Sequence, residues 1–313
     1  MTILIETNNP EWLTASQVRG ILHPLLGDEA PIFTYPDDTG DLATVEMLVC
    51  TQLLPGLAAQ LPNLKLVQKL GAGVETMAAN PELPEGVRVC RLRSDACASE
   101  MAEFCLAFVL RDHKQIRHYA TDQANHVWNP IEPPLNSNVT VGVLGLGFIG
   151  GLTAKLMATL GFRVLGWSRS PKSIEGVDSR HGPEALKPML GECDYVCSVL
   201  PSTHSTRGLM NADMLASMKP GSTLINVGRG DLIDEEALLK ALNAGQPAHV
   251  VLDVVSQEPL PADSPLWDHP GVTLIPHVSG WHMDGGFEDV ADNWRSLKAG
   301  EALKNEIDRS AGY

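Results

Sequence analysis

The chain of 313 residues is long enough for two domains of ordinary size, and its hydrophobic content of 44% is typical of a globular protein. A net charge of −15, with no run of lysine or arginine, argues against nucleic acid and acidic membranes as general partners. No stretch is long and apolar enough to cross a membrane, and the first residues resemble no secretion signal, so we expect a cytoplasmic protein.

The first hundred residues alternate short β-type runs with helical patterns, which predicts an α/β domain with a parallel sheet. The predicted strands are residues 2–6, 31–35, 46–50, 64–69 and 87–92, and helical patterns lie at 11–26 and 74–80. Two of the six scattered cysteines, Cys193 and Cys197, are four residues apart, but no third ligand is near, so no metal site is predicted.

A single long helix is predicted from about residue 98 to 125, apolar at first and then polar. His113, His118 and His126 lie on the polar part and are predicted to be solvated. The loop that follows is rich in proline and asparagine, which is typical of a domain boundary. A second α/β series runs from 140 to about 279, and residues 286–304 predict a last helix that packs on the first domain. The predicted domains are therefore 1–107 with 286–313, and 108–285.

A Gly145-x-Gly147-x-x-Gly150 run separates a predicted strand at 140–144 from a predicted amphipathic helix at 151–160. Another strand, 162–167, completes a βαβ unit. In such a unit the first glycine permits a tight turn, the second lets a pyrophosphate approach the backbone, and the third lets the helix pack on the strand. Free N–H groups at the helix start favour phosphate. A plain glycine turn is the alternative, but the surrounding βαβ unit favours dinucleotide binding.

The second strand of this unit lacks the acidic residue that would bind the ribose 2′-hydroxyl of NAD. Ser168 stands in its place, followed by Arg169, Ser170 and Lys172. Two hydroxyls, a guanidinium and an ammonium suit a 2′-phosphate, so NADPH is predicted to be preferred over NADH. An ordinary solvated turn with two surface cations is the alternative.

Three chemically distinct side chains follow later predicted strands of the second series. Arg229 follows one strand, Glu258 comes after the next, and His277 follows the last. A histidine can donate or accept a proton, a glutamate can orient it, and an arginine can hold a carboxylate. Each residue alone could be structural, but after a dinucleotide-binding unit together they predict reduction of a 2-oxo acid to a 2-hydroxy acid.

The motifs "GLGFIG", "LPSTHSTRGLMN", "INVGRGDLIDEEAL", "LDVVSQEPLP" and "LIPHVSG" occur in an order and spacing that resemble the D-isomer-specific 2-hydroxyacid dehydrogenases over essentially the whole chain. Within that family, "WSRSPKS" and "QEPLPADSPLW" resemble the glyoxylate/hydroxypyruvate reductase A branch. The resemblance implies a flavodoxin-like substrate domain and a Rossmann dinucleotide-binding domain, each a doubly wound parallel sheet, with a cleft between. It also implies a homodimer that uses the segment "RHYATDQANHVW".

The family's catalytic arginine, glutamate and histidine correspond to Arg229, Glu258 and His277, and Asp253 corresponds to the residue that holds the nicotinamide amide. Its carboxylate-binding backbone loop corresponds to residues 70–74. The residues predicted to contact the dinucleotide are Gly145, Gly147, Phe148, Ile149, Gly150, Ser168, Arg169, Ser170, Lys172, Leu200, Pro201, Thr206, Val227, Gly228, Asp253, Ser279 and Gly280. Those predicted to contact the substrate are Cys50, Leu70, Gly71, Ala72, Gly73, Val74, Arg229 and His277.

The sequence departs from the family pattern at Cys50, where the branch often carries an aromatic residue, and in the loop after His277, which contains Gly285 and Gly286. The leading hypothesis is an NADPH-dependent reductase of glyoxylate and hydroxypyruvate, with His277 as acid and base. These departures keep open a reductase of bulkier 2-oxo acids. A dinucleotide-sensing binding protein without catalysis is a further alternative from a different class.

Overall fold

The structure is a computed structural model that describes residues 1–7, 12–78 and 80–309. The strands, in chain order, are β1 (Thr2–Glu6), β2 (Ile32–Thr34), β3 (Val45–Cys50), β4 (Leu66–Lys69), β5 (Arg88–Arg91), β6 (Thr140–Leu144), β7 (Arg163–Ser168), β8 (Val177–His181), β9 (Tyr195–Ser198), β10 (Thr223–Asn226), β11 (His249–Leu252) and β12 (Val272–Leu274). The helices are α1 (Ala15–Leu26), α2 (Glu75–Ala78), α3 (Asp95–His113), α4 (Ile116–Ala124), α5 (Phe148–Thr159), α6 (Pro183–Leu190), α7 (Ala212–Ala216), α8 (Glu235–Asn243) and α9 (Phe287–Ala299).

The described residues divide into two compact units. One contains the chain up to Cys97 and again from His282, and the other runs from Ala98 to Trp281. Both divisions fall earlier than the predicted 107/108 and 285/286. The first does so because α3 contributes its buried Cys105 and Val109 to the hydrophobic core beneath the second unit's sheet.

The first unit is built on a parallel sheet of five strands in the order β2-β1-β3-β4-β5. This is the flavodoxin-like order, so the predicted fold of this unit is confirmed. One face packs on α1 and α9, whose Leu22 and Trp294 are fully buried with Ile5 of β1. The other face buries Leu4, Leu48 and residues of α2.

Local signals explain where the helices of this unit begin and end. Thr14 and Gln17 form a capping box at the start of α1, with Thr14 N–H donating to Gln17 Oε1 over 2.8 Å. Glu11, the predicted first residue of that helix, lies outside the described residues, as does Ala79 of the predicted helix 74–80. The last predicted helix, 286–304, ends at Ala299 because Gly300 adopts a left-handed conformation with φ 71°.

The second unit contains a parallel sheet of seven strands in the order β12-β11-β10-β9-β6-β7-β8. Numbered within the unit, this is the Rossmann order 3-2-1-4-5-6 with a seventh strand added, which confirms the predicted fold. The edge strand β8 was not predicted, because its sequence VDSRH is polar and none of its residues is buried. Among the helices of the described residues, none has the length and apolar character needed to cross a bilayer.

The predicted single helix over 98–125 is wrong. The structure has two helices, α3 and α4, separated at Gln115, whose φ of 58° is left-handed and cannot continue a helix. The prediction that His113 is solvated is also wrong. Its side chain is buried, its Nε2 donates a hydrogen bond to Asn136 Oδ1 over 2.8 Å, and its ring packs edge-on against Phe162.

Candidate active site

The turn between β6 and α5 has the geometry that the glycine run predicts. Gly145 has φ 98°, a conformation that favours glycine. A Cβ on Gly150 would lie 1.7 Å from the carbonyl oxygen of Gly145, so any other residue would push the helix off the strand. A Cβ on Gly147 would meet no protein atom within 4 Å. Protein packing therefore requires two of the glycines, and the third leaves open space above the turn.

The first turn of α5 faces this open space. Gly147 is the N-cap, and the first helical hydrogen bond runs from Gly151 N–H to Gly147 O over 2.8 Å. The N–H groups before Gly151 therefore lie at the positive end of the helix dipole, where an anion is stabilised. Phe148, at the first helical position, keeps a partly exposed ring. The turn and the helix start together leave open space in which an anion would be stabilised.

The turn after β7 carries the four residues predicted to bind a 2′-phosphate. Ser168 is the last strand residue and is buried, and its hydroxyl donates to Ser170 O over 2.8 Å. That bond stabilises the turn, and it means that the Ser168 hydroxyl already donates its proton to a backbone carbonyl. Arg169, Ser170 and Lys172 are all exposed. The structure thus places two cationic side chains just beyond the carboxyl end of β7 with access to a ligand.

The ends of β9 and β10 are held close together by glycine. A Cβ on Gly228 would lie 2.4 Å from the carbonyl oxygen of Leu200, and a Cβ on Gly230 would lie 1.9 Å from the carbonyl carbon of Val255. Thr206 closes the loop after β9 by donating to Pro201 O over 2.6 Å. Three predicted cofactor-contact residues that follow β9 or β10 are buried: Leu200, Thr206 and Val227. The glycines flanking Arg229 therefore exist because neighbouring backbones pass within contact distance.

His277 and Glu258 form a hydrogen-bonded pair. The Nδ1 atom of His277 lies 2.7 Å from Oε2 of Glu258, and both side chains keep access to solvent, with 52% and 38% of their surface exposed. The hydrogen bond raises the pKa of His277 above its ordinary value, against burial, which would lower it. Burial alone would raise the pKa of Glu258, but the bond and charge of His277 lower it. The pair therefore favours a protonated imidazole whose Nε2 remains available.

Arg229 follows β10 and lies near this pair. Its charge lowers the pKa of both Glu258 and His277, and Nη1 of its guanidinium donates to Gly228 O over 2.6 Å. Asn226, buried at the end of β10, donates to Arg229 O over 2.9 Å and accepts from Gly228 N–H. Sequence reasoning missed Asn226, although an asparagine that ends the apolar run STLI was a usable signal.

Asp253, which follows β11, holds the loop that carries His277. Its backbone carbonyl accepts from His277 N–H over 2.9 Å, and its carboxylate accepts from Val278 and Ser279 N–H over 2.8 and 3.2 Å. His277 itself has φ 54°, a left-handed conformation that costs free energy unless neighbours enforce it. Asp253 is 2% exposed, so these bonds are made away from water. The structure thus shows Asp253 ordering the backbone around His277.

The predicted carboxylate-binding loop lies after β4 in the first unit. Leu70 N–H donates to Cys50 O over 2.7 Å, so this N–H is already engaged. Gly71 has φ 126°, and the chain then turns towards α2. Leu70 and Val74 are buried, and so is Cys50, whose thiol burial raises the pKa to about 12. The parts of this loop that can meet a ligand are the backbone and small side chains of residues 71–73.

The described ranges bring no three His, Cys, Asp or Glu side chains close enough together to hold a metal ion. All six cysteines are free thiols. Of the remaining predicted histidines, His118 lies 3.2 Å from Asp122 on α4 and is partly exposed, and His126 is exposed.

A helix start open to an anion, and a histidine oriented by a carboxylate, are features that a dinucleotide-dependent oxidoreductase requires. The family model for the NAD-binding domain of D-isomer specific 2-hydroxyacid dehydrogenases matches residues 106–279. The chain belongs to this family.

Two relatives carry the same name. Glyoxylate/hydroxypyruvate reductase A of Serratia proteamaculans is 37% identical over 257 residues, which cover 80% of this chain and 82% of that protein. Glyoxylate/hydroxypyruvate reductase A of Yersinia enterocolitica is 34% identical over 280 residues, covering 88% and 90%.

Solved structures extend the likeness to the whole chain. A D-isomer specific 2-hydroxyacid dehydrogenase from Xanthobacter autotrophicus, in complex with NADPH and MES, is 36% identical with a TM-score of 0.93 and covers 99% of both chains. An NADPH-dependent glyoxylate/hydroxypyruvate reductase from Sinorhizobium meliloti, in complex with NADP and sulfate, is 29% identical with a TM-score of 0.90, covering 100% of this chain and 99% of that one.

Proposed function

We propose that this protein is an NADPH-dependent reductase that converts glyoxylate to glycolate and hydroxypyruvate to D-glycerate. The observation that carries the proposal is the 2.7 Å bond between His277 and Glu258, with Arg229 close enough to perturb both groups. The reductases from Serratia, Yersinia and Sinorhizobium support the choice of substrates.

The chain's own residues divide the chemistry of reduction between them. A bound NADPH supplies the hydride that reaches the keto carbon. His277 donates a proton from Nε2 to the keto oxygen, and Glu258 stabilises the imidazolium and fixes the ring orientation. The Arg229 guanidinium binds the substrate carboxylate and polarises the adjacent carbonyl. In the first unit, residues 71–73 are proposed as a carboxylate-binding loop that acts through backbone N–H groups.

The cofactor is proposed to lie over the glycine turn of the second unit. The pyrophosphate would contact the α5 start, and the predicted residues around Pro201, Val227 and Gly280 would line the remainder. Exposed Arg169 and Lys172, with no acidic side chain at position 168, support a preference for NADPH over NADH. Asp253 would accept the nicotinamide amide while it holds the His277 loop.

The test is a steady-state comparison of NADPH and NADH with glyoxylate, hydroxypyruvate and phenylpyruvate. We expect the two small acids to be reduced with the higher kcat/KM and NADPH to be the better cofactor. A large preference for phenylpyruvate would favour the reductase of bulkier acids instead. Binding of NADPH without reduction of any acid would favour the sensor.

A homodimer is proposed from the apolar surface of α4 and the segment after it. Trp128 is 96% exposed, and further large apolar side chains are exposed beside it in sequence. These are Ile116, Tyr119, Val127 and Leu135. A soluble monomer rarely exposes so many large apolar side chains in one region, so we expect this surface to be covered by a second copy of the chain. Sedimentation equilibrium would show twice the chain mass, and a monomer at micromolar concentration would contradict the proposal. The free cysteines support a cytoplasmic location.

A further inference from the structure

Four residues form a line across the carboxyl edge of the first unit's sheet. Glu6 of β1 pairs with Cys50 of β3, Cys50 pairs with Lys69 of β4, and Lys69 pairs with Arg91 of β5. Each is the last residue of its strand. Register partners in a parallel sheet project from the same face, so these side chains lie side by side. We call them the edge row: Glu6, Cys50, Lys69 and Arg91.

Glu6 carries an acceptor that the protein does not use. The residue is 2% exposed, and its Oε2 atom is buried without a hydrogen-bond partner among the described residues. Buried polar atoms in folded proteins nearly always have a partner, because an unpaired one loses its bonds to water without replacement. Its neighbour in the row, the Cys50 thiol, is at best a weak donor. No described residue supplies a donor to this oxygen, so a ligand hydroxyl could fill that place.

Lys69 links the edge row to the loop proposed to bind the substrate carboxylate. Its Nζ donates to Leu70 O over 2.8 Å and would lie 3.2 Å from a Cβ on Gly71. The ammonium thus sits against the first glycine of that loop. Cys50 separates Lys69 from Glu6, and the charges of both act on its thiol. Lys69 thus places the edge row next to the loop at residues 71–73.

We propose that the edge row is the subsite for the C3 end of the substrate, with Glu6 accepting a hydrogen bond from a hydroxyl there. Among the proposed substrates, the edge row then favours the 3-hydroxy-2-oxo acids, of which hydroxypyruvate is the smallest. This inference rests on the proposed function and refines it. An apolar or aromatic substituent would leave the Glu6 oxygen unpaired, and sites built for a hydroxyl reject such analogues strongly. In either protonation state the carboxyl of Glu6 retains an acceptor oxygen.

The experiment compares Glu6→Leu with the unchanged enzyme, using NADPH and three acids: hydroxypyruvate, pyruvate and glyoxylate. Hydroxypyruvate and pyruvate differ only in the hydroxyl. We expect Glu6→Leu to lower kcat/KM for hydroxypyruvate by roughly tenfold or more, while the values for pyruvate and glyoxylate change less than about threefold. Glu6→Gln keeps an acceptor oxygen and should retain most of the preference. Glu85→Leu, at an exposed carboxylate, is the matched control.

Equal losses for all three acids, or an unchanged ratio, would overturn the role of Glu6 while leaving the proposed function intact. If no acid is reduced by the unchanged enzyme, the proposed function fails and this inference fails with it. A second measurement needs no variant, in case Glu6→Leu does not fold. Fluoropyruvate activates its carbonyl as hydroxypyruvate does but has no donor at C3. We expect at least about a tenfold preference for hydroxypyruvate, and equal kcat/KM values would overturn the inference.

Discussion

Glu258 in the second unit and Glu6 in the first both follow or end a strand at the carboxyl edge of a parallel sheet, but their surroundings are opposite. Glu258 is partly exposed and bonded to His277; burial would raise its pKa, but that bond, the bond from Val255 N–H and the charges of His277 and Arg229 together lower it. Glu6 is buried with an unpaired oxygen, and burial raises its pKa from 4.5 to about 7. One carboxyl is charged and already committed to a partner, whereas the other is poised between two protonation states.

The difference shows that two glutamates at the carboxyl edges of two parallel sheets can be suited to different roles. A carboxylate that must hold an imidazolium needs a permanent charge, which the neighbouring cations of Glu258 provide. A carboxyl that recognises a neutral hydroxyl needs only an unoccupied acceptor, and burial without a partner keeps one. Glu258 therefore has its hydrogen-bond partner within the protein, whereas Glu6 is proposed to receive its partner from a ligand.

The largest expected effect comes from removing the proposed proton donor, His277, in the second unit. His277→Ala should lower kcat for glyoxylate reduction by roughly 100-fold to 10,000-fold, because the keto oxygen loses its proton source. The dissociation constant for NADPH should change little. Single-turnover kinetics and a fluorescence titration of NADPH measure the two effects. Turnover that survives nearly intact would show that another group donates the proton.

The next effect comes from separating His277 from its partner. Glu258→Ala removes the bond and the charge that raise the pKa of His277. In the proposed mechanism reduction requires protonated His277, so activity should be lost as pH rises through that pKa. We expect the alkaline limb of the kcat/KM profile to move to lower pH, towards the ordinary histidine value of about 6.5, with roughly a tenfold loss at pH 8. A profile with an unmoved alkaline limb would contradict the assignment.

The candidate site residues at the edge of the second unit's sheet could be predicted from the sequence, whereas the edge row of the first unit could not. The glycine run, Arg229, Glu258 and His277 could be predicted because each stands at a recognisable position just after an apolar strand. The strands themselves were found to within a few residues wherever they were apolar on both faces. The edge row was not predicted, because its members come from four separate segments and meet only through strand register, which no local pattern specifies.

Three other features of the structure were not predicted, and each has an identifiable cause. The polar edge strand β8 lacks an apolar pattern, since much of it faces solvent. The break between α3 and α4 occurs at Gln115, a residue that does not usually mark a helix end. His113 lies on a polar stretch but is buried because Asn136, 23 residues later, satisfies its ring nitrogen. The burial of His113 depends on a tertiary partner, which the local polar pattern does not reveal.

A smaller effect is expected on the discrimination between NADPH and NADH, at the carboxyl end of β7. Arg169→Ala removes an exposed cation beside the end of β7. Because a guanidinium binds a phosphate but has little to gain from a ribose hydroxyl, KM for NADPH should rise by roughly tenfold and KM for NADH by less than about twofold. Arg163→Ala, at the start of the same strand, is the matched control. Equal increases for both cofactors would show that Arg169 does not contact the 2′-phosphate.

The smallest effect concerns the unpaired carboxyl and is measured as stability. Because the pKa of Glu6 rises from 4.5 to about 7 on folding, the folded state holds its proton longer than the unfolded state does. Stability is therefore lost as pH rises from about 4.5 through 7, by roughly 3 kcal/mol at most. Glu6→Gln cannot ionise and escapes this loss. We expect its melting temperature, relative to the unchanged protein, to be higher at pH 8 than at pH 5, with Glu85→Gln showing no such change. A difference that is the same at both pH values would mean that Glu6 ionises normally, and the contrast with Glu258 would disappear.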